Sequence, residues 1–204
     1  MALTACTTFA PLPPLALTDL PSRMELTQVP FYPQEADQCG PAALAMVLSY
    51  AGLPRNAEQM RDEVYLPLRQ GSLQIEMVSA VRRAGLVPMV LNGGIHELLS
   101  TIARGQPVIV LLRAPWPVGP PWHYAVAVGF DVIKEEIVLR SGSSARQVMS
   151  LRDFQGQWSA AHDWGLVVKP AHQRLSLNAA ASPPPGSPAT PAPPPHSPAL
   201  PTLP

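Results

Sequence analysis

The sequence predicts an α+β domain in which N-terminal helices pack on a C-terminal antiparallel sheet. The first half of the chain has apolar residues at helical spacing, whereas the second half has short apolar runs that are typical of strands. Prolines are concentrated toward both ends. We therefore expect a domain over residues 28–171, an N-terminal tether over 1–27 and a tail over 172–204.

The expected helices are bounded by residues that commonly begin or end a helix. Pro41 suits a first helical turn, because its missing N–H has no partner there in any case. Gly52 follows the first helix and suits a C-cap, and Asn56 suits the N-cap of the second. The predicted helices span 40–51, 57–64, 73–84, 95–103 and 152–161.

The expected strands are short apolar runs separated by turn residues. The run at 108–112 is apolar throughout, which favours a strand buried on both faces. A proline-rich loop over 116–121 leads to His123 and the next apolar run. The predicted strands span 87–91, 108–112, 124–130, 136–140, 147–151 and 166–168.

Composition excludes several classes of function. The 14 basic and 14 acidic residues cancel, so nothing indicates a nucleic acid or an anionic membrane surface as partner. No stretch has the roughly 18 consecutive apolar residues of a membrane-spanning helix. Paired-cysteine and His-Glu-x-x-His motifs are absent from the sequence, so we expect neither a metal nor a cofactor. We expect a monomer without disulfide bonds.

Cys39 stands where a polar segment becomes an apolar helix. At a helix start, a thiol meets backbone N–H groups without helical partners and the positive end of the helix dipole. This environment favours the thiolate, which is the nucleophilic form of cysteine. His123 begins an apolar run farther along the chain. A cysteine at a helix start and a histidine at a strand start are the two reacting groups of a thiol hydrolase.

The block Gln34-x4-Cys39-Gly-Pro-Ala-Ala-Leu, together with His123-Tyr-Ala-Val-Ala-Val-Gly, resembles the papain-like cysteine peptidases typified by double-glycine (bacteriocin) leader peptidases. The resemblance covers roughly residues 29–170. It implies a papain-like fold with a groove between helices and sheet, and a peptide or protein substrate. It also implies Cys39 as nucleophile, His123 as general base and Gln34 as donor to the oxyanion.

Two positions of the site remain open at this stage. Gln38, directly before Cys39, is an alternative to Gln34 as the oxyanion donor. The family normally has an acid at the end of the strand after the histidine strand, and this chain has Ser141 there. We expect the Ser141 hydroxyl to face the His123 ring, with Asp131 and Asp153 as alternatives that would restore a carboxylate.

Three functions are compatible with the motif. The first is peptide-bond hydrolysis by a Cys–His dyad or triad. The second is a catalytically silent papain-like domain that binds peptides or a transport partner, which the missing carboxylate favours. The third is amide-bond formation or transpeptidation by the same dyad.

The two ends carry further predictions. Residues 3–6, Leu-Thr-Ala-Cys6, match the lipobox at which bacterial lipoprotein signal peptides are cut and lipidated. A signal peptide needs an apolar run of about 7–15 residues, so either the true start lies upstream of Met1 or the match is accidental. The prediction is a lipid-anchored protein of the bacterial cell envelope, or a cytoplasmic one if the match is accidental. We expect Ser182–Pro204 to be disordered or polyproline II.

Overall fold

The computed structural model describes residues 19–34, 37–91, 93–113 and 122–169. These residues form an antiparallel sheet of seven strands and five α-helices. The predicted α+β fold is confirmed. In chain order the elements are β1 (Arg23–Glu25), α1 (Cys39–Tyr50), α2 (Ala57–Val64), a 3₁₀ turn (Pro67–Arg69), α3 (Gln74–Arg83), β2 (Val87–Leu91), α4 (Gly94–Ala103), β3 (Val108–Arg113), β4 (Trp122–Asp131), β5 (Glu136–Ser141), β6 (Ser144–Ser150), α5 (Leu151–Ser159) and β7 (Gly165–Lys169).

The sheet has the strand order β2-β7-β3-β4-β5-β6, and β1 pairs with the end of β4. Strand β4 lies in the middle and is the longest of the described strands. All of its residues from Tyr124 to Phe130 are buried. Because successive side chains of a strand point to opposite faces, this run means that both faces of the sheet are covered around β4.

Helix α1 is buried over its whole middle, from Gly40 to Leu48. It packs against β3, β4 and β7 on one side and against α2 and α3 on the other. Gly52 follows the helix with φ of +86°, the left-handed conformation expected of a glycine at a C-terminal cap. This packing holds Cys39, the first residue of α1, against the sheet.

Most predicted elements are present with ends shifted by a few residues. The Asn56 cap is confirmed, since its side chain accepts from the Gln59 N–H and Gln59 bonds back to the Asn56 N–H. The predicted strand 147–151 is wrong at both ends: β6 is Ser144–Ser150. The Ser150 side chain accepts the Asp153 N–H and thereby starts α5 at Leu151.

Strand β1 was not expected, because three residues are too few to show a periodic pattern. It precedes residue 28, where we expected the domain to begin. The predicted loop 116–121, the tail 172–204 and the lipobox at Cys6 lie outside the described residues. None of the helices in the described residues is long and apolar enough to cross a bilayer.

Candidate active site

The candidate site lies at the start of β4, where one edge of that strand has no neighbouring strand. Pairing of β4 with β3 begins at Trp122, whereas pairing with β5 begins only at Val126. The N–H and C=O of one strand residue point to the same edge. Those of Tyr124 face two predicted site residues, because its N–H is directed at the Cys39 thiol and its C=O accepts from Gln34 Nε2 at 3.3 Å.

The Cys39 thiol is partly buried at the first residue of α1. Burial raises its pKa, and the Asp37 carboxylate adds to this, while the backbone N–H groups of Tyr124, Gly40 and Cys39 itself act in the opposite direction. The helix-start amides that we expected are therefore present. The raised pKa runs against our expectation that they make the thiolate the favoured form, because desolvating the charge costs more than these amides return, and the expectation stays a prediction. Burial thus acts in favour of the neutral thiol.

The His123 ring is hydrogen-bonded to Ser141, with 2.9 Å between Nε2 and Oγ. The expected contact between this hydroxyl and the ring is thus present, and its catalytic role stays a prediction. Burial lowers the pKa of His123, which favours the neutral imidazole. The ring forms no ion pair within the part of the chain that the structure describes.

The two alternative carboxylates are engaged elsewhere. Asp131 accepts the backbone N–H of Lys134 at 3.0 Å, and Asp153 accepts the Ser150 hydroxyl at 2.7 Å. Both interactions are local, within three residues of the acid. Neither aspartate is hydrogen-bonded to His123, so Ser141 is the side-chain partner that the structure gives to this ring.

Gln34 is held in one orientation by the turn between β5 and β6. Its backbone N–H donates to Gly142 O at 3.0 Å, and its side-chain Oε1 accepts the Gly142 N–H at 2.8 Å. Because the carboxamide oxygen is engaged in this way, Nε2 points to Tyr124 and retains a second N–H. The alternative residue, Gln38, is the N-cap of α1 and makes no side-chain capping bond.

Four residues to which the sequence interpretation gave no role in the site support this arrangement. The Tyr124 hydroxyl donates to Ser72 O at 3.3 Å, and its ring meets Trp164 edge-on at 5.9 Å between centroids. A Cβ on Gly40 would lie 2.5 Å from Ser72 Oγ, so the glycine of the Cys-Gly pair lets the segment before α3 approach the start of α1. Gly40 and Tyr124 both stand in the quoted motifs, whereas Ser72 and Trp164 lie far from them in the sequence and had no such signal.

The titratable groups of the site do not form a metal centre. Within residues 19–34, 37–91, 93–113 and 122–169, no three His, Cys, Asp or Glu side chains are grouped as metal ligands. What the site offers is a thiol, a neutral imidazole and an oriented amide donor, which are the groups needed for acyl transfer through a covalent thioester.

Comparisons with known proteins agree with this chemistry. The sequence pattern of the Peptidase_C39 like family matches residues 26–165. No curated protein matches the chain.

Several solved structures have the same fold. A protein described as a C39-like peptidase, from Bacillus anthracis, is 18% identical with a TM-score of 0.59, and the match covers 72% of this chain and 96% of that one. The peptidase domain of Streptococcus ComA is also 18% identical, with a TM-score of 0.55 and coverages of 70% and 99%. A double-glycine-motif protease from an AMS/PCAT transporter, in complex with a leader peptide, is 22% identical, with a TM-score of 0.55 and coverages of 72% and 94%. At these identities the likeness establishes the papain-like fold alone.

Proposed function

Because the chain belongs to the Peptidase_C39 like family, we propose that it is a cysteine peptidase in which Cys39 attacks a peptide bond and His123 transfers the protons. The observation that carries this proposal is the backbone of Tyr124, whose N–H is directed at the thiol and whose C=O holds Gln34. His123 is the adjacent residue. The proposed nucleophile and oxyanion donor therefore face the backbone of one residue, and the proposed base is the residue before it.

The proposed reaction starts from a neutral pair rather than an ion pair. His123 donates Nε2–H to Ser141 Oγ, which leaves the Nδ1 lone pair free to accept the thiol proton. The sulfur then attacks the substrate carbonyl, and the second N–H of Gln34 stabilises the oxyanion together with the Cys39 N–H. The imidazolium returns its proton to the leaving amine. Water, deprotonated by His123, hydrolyses the thioester and restores the thiol.

Ser141 orients the imidazole in this scheme without supplying a charge. A carboxylate at its position would stabilise the imidazolium, and a hydroxyl does so only weakly. The buried ring therefore remains neutral until it receives the thiol proton, consistent with the direction of its pKa shift. We propose slower turnover than a full triad would give.

The substrate class we propose is a peptide or an unfolded protein segment bound by a monomeric enzyme. A related protease is known in complex with a leader peptide, which supports a peptide as ligand of this fold. The described part of the chain shows no helix able to span a membrane.

Cleavage of a peptide library tests the proposal. A proteome-derived peptide mixture is incubated with the wild-type protein and with Cys39→Ala, and new peptide termini are identified by mass spectrometry. We expect cleavage by the wild type only, because the substitution removes the attacking atom and little packing. Circular dichroism controls for folding. Equal cleavage by a folded Cys39→Ala variant would refute the proposal.

The alternative is a silent peptide-binding domain, favoured by the raised pKa of Cys39 and the missing carboxylate. In that case the library would remain uncut, while peptides from it would be retained by the immobilised protein. Joined rather than shortened peptides would indicate transpeptidation by the same groups.

We further propose that the protein is anchored in the bacterial cell envelope through a lipid on Cys6. The Leu-Thr-Ala-Cys match supports this, although it lies outside the described residues. Expression from the full genomic reading frame, with an alkyne fatty acid in the medium, should label the wild type and leave Cys6→Ser unlabelled. Equal labelling of both would exclude this anchor and leave the cytoplasm as the alternative.

A further inference from the structure

Arg140 is a buried cation for which the described residues provide no acidic partner. Its residue is 8% exposed, and its guanidinium donates to three backbone carbonyls and to no carboxylate in the described chain. NH1 donates to Ala145 O, and NH2 lies 3.4 Å from Thr27 O and 3.3 Å from Val29 O. The Nε atom is buried without a partner among the described residues. Burying an uncompensated charge is costly, so such a residue calls for a specific role.

The Ala145 carbonyl is available because the β5–β6 ladder contains a bulge. Leu139 pairs with Gln147 and Ser141 pairs with Ser144, so Arg140 alone stands opposite two residues of β6. A bulge leaves backbone groups without ladder partners. The Arg140 side chain satisfies one of them, and the bulge lies directly beside Ser141.

The other two carbonyls belong to the segment that leads to Gln34. Thr27 and Val29 lie between β1 and α1, and five residues after Val29 the same segment bonds through Gln34 to Gly142. Arg140 and Gln34 therefore join the same two pieces of chain: the segment before α1 and the β5–β6 hairpin. Arg140 does so through its guanidinium, and Gln34 through its backbone and carboxamide.

We propose that Arg140 is a positioning residue for Gln34. By donating to the carbonyls of Thr27, Val29 and Ala145, it fixes the position of the 27–34 segment on the β5–β6 hairpin. The position of this segment in turn sets the orientation of the Gln34 carboxamide. The inference rests on the proposed function, since Gln34 matters for turnover only in an acyl-transfer enzyme. A planar guanidinium reaches three acceptors on two segments at once. A lysine retains the charge, but its compact ammonium group cannot donate to all three carbonyls as the planar guanidinium does.

A double-mutant cycle between Arg140→Lys and Gln34→Ala tests this role, with hydrolysis of p-nitrophenyl acetate as the assay. We expect Gln34→Ala to lower kcat by about 100-fold, as for loss of an oxyanion donor. Arg140→Lys should lower kcat by at least about tenfold with KM within about twofold. If Arg140 acts through Gln34, the double variant is no slower than Gln34→Ala within about twofold. The inference would be overturned if the losses of kcat in the two single variants multiplied in the double variant, or if Gln34→Ala had the kcat of the wild type.

Alkylation of Cys39 separates positioning from general damage to the site. Iodoacetamide reacts with the thiol without forming an oxyanion, so its rate in Arg140→Lys should equal that of the wild type. A parallel loss of alkylation and turnover would show that Arg140 supports the whole site and would overturn the specific role. Arg146→Lys is the matched control, since Arg146 lies on the same hairpin and pairs with Glu25 at the surface.

Folding and the proposed function are checked separately. If Arg140→Lys does not fold by circular dichroism, Arg140→Gln takes its place in the cycle. If neither variant folds, Arg140 is a stability residue and the inference is overturned. Wild-type ester turnover in Cys39→Ala would instead overturn the proposed function, and this inference with it.

Discussion

The two ends of strand β4 differ in what satisfies their backbone groups. At its C-terminal end, β5 pairs with one edge and β1 with the other, and the Val128 carbonyl accepts the Leu26 N–H at 2.7 Å. At its N-terminal end, β3 pairs with one edge. On the other edge, the N–H of Tyr124 is directed at the Cys39 thiol and its C=O accepts from Gln34. Strands complete the ladder at one end, and functional side chains complete it at the other.

This difference shows how a sheet can hold a reactive group. An unpaired strand edge must find hydrogen-bond partners when it is buried. Here those partners are the side chains on which the proposed chemistry depends. We therefore expect substitutions at the start of β4 to lower mainly the activity, and substitutions at its end to lower mainly the free energy of unfolding.

The largest effect is expected from removing the base at the functional end. His123→Ala should lower p-nitrophenyl acetate turnover by about 100- to 10,000-fold, because the thiol loses its proton acceptor. His96→Ala is the matched control, since His96 is exposed on α4 and pairs with Asp19 at 3.1 Å. A fall in turnover of the same size in both variants would mean that His123 has no special role.

The pH dependence of alkylation tests the resting state of the thiol. Because burial raises the pKa of Cys39, the thiolate is the minor form at neutral pH. Its fraction, and the iodoacetamide rate, should increase by about tenfold per pH unit from pH 6 to 8. The measurement uses the Cys6→Ser variant, so that Cys39 is the one thiol that reacts. In urea, where the thiol is no longer buried, the pH of half-maximal rate should be lower. A plateau below pH 7 would instead indicate a preformed thiolate–imidazolium pair.

Substitution of two glycines, one near each end of β4, tests the comparison directly. Gly40→Ala would bring its Cβ within 2.5 Å of Ser72 Oγ near the site, and Gly129→Ala within 2.7 Å of Met24 O at the opposite end. Each should lower the free energy of unfolding by about 1–3 kcal/mol, measured in urea. Turnover per folded molecule should fall about tenfold in Gly40→Ala alone, because that helix start carries the thiol. Unchanged turnover in Gly40→Ala would show that the site adjusts to the added methyl group.

The smallest effect is expected at the hydroxyl that orients the base. Ser141→Ala should lower kcat by about two- to fivefold, since we expect this neutral hydrogen bond to contribute about 0.5–1 kcal/mol. Ser144→Ala, on the same hairpin, serves as the control. A loss as large as that from His123→Ala would assign Ser141 a role beyond orienting the ring. Ser141→Asp is a useful complement, because a carboxylate should raise the pKa of His123.

Elements with local signals were the ones that could be predicted. Asn56 and Gln59 form their capping box within four residues. Gly52 adopts the positive φ that the residue after a helix often requires. Strand β1 had no such signal, because it exists only through pairing with the distant end of β4. The start of β6 was misplaced because a bulge opposite Arg140 changes its register.

Sequence alone identified Cys39 and His123 as candidates, because a thiol hydrolase needs a thiol near a helix start and a base near a strand start, and the resemblance to the leader peptidases added Gln34 and Ser141. Their catalytic roles remain predictions. The tertiary structure decided what surrounds them: burial that raises the pKa of the thiol, the Tyr124 backbone between Cys39 and Gln34, and the contacts of Arg140 with the segment before α1. A local sequence specifies which group is present. Its protonation and orientation depend on desolvation and on hydrogen bonds from residues far along the chain, which only folding brings together.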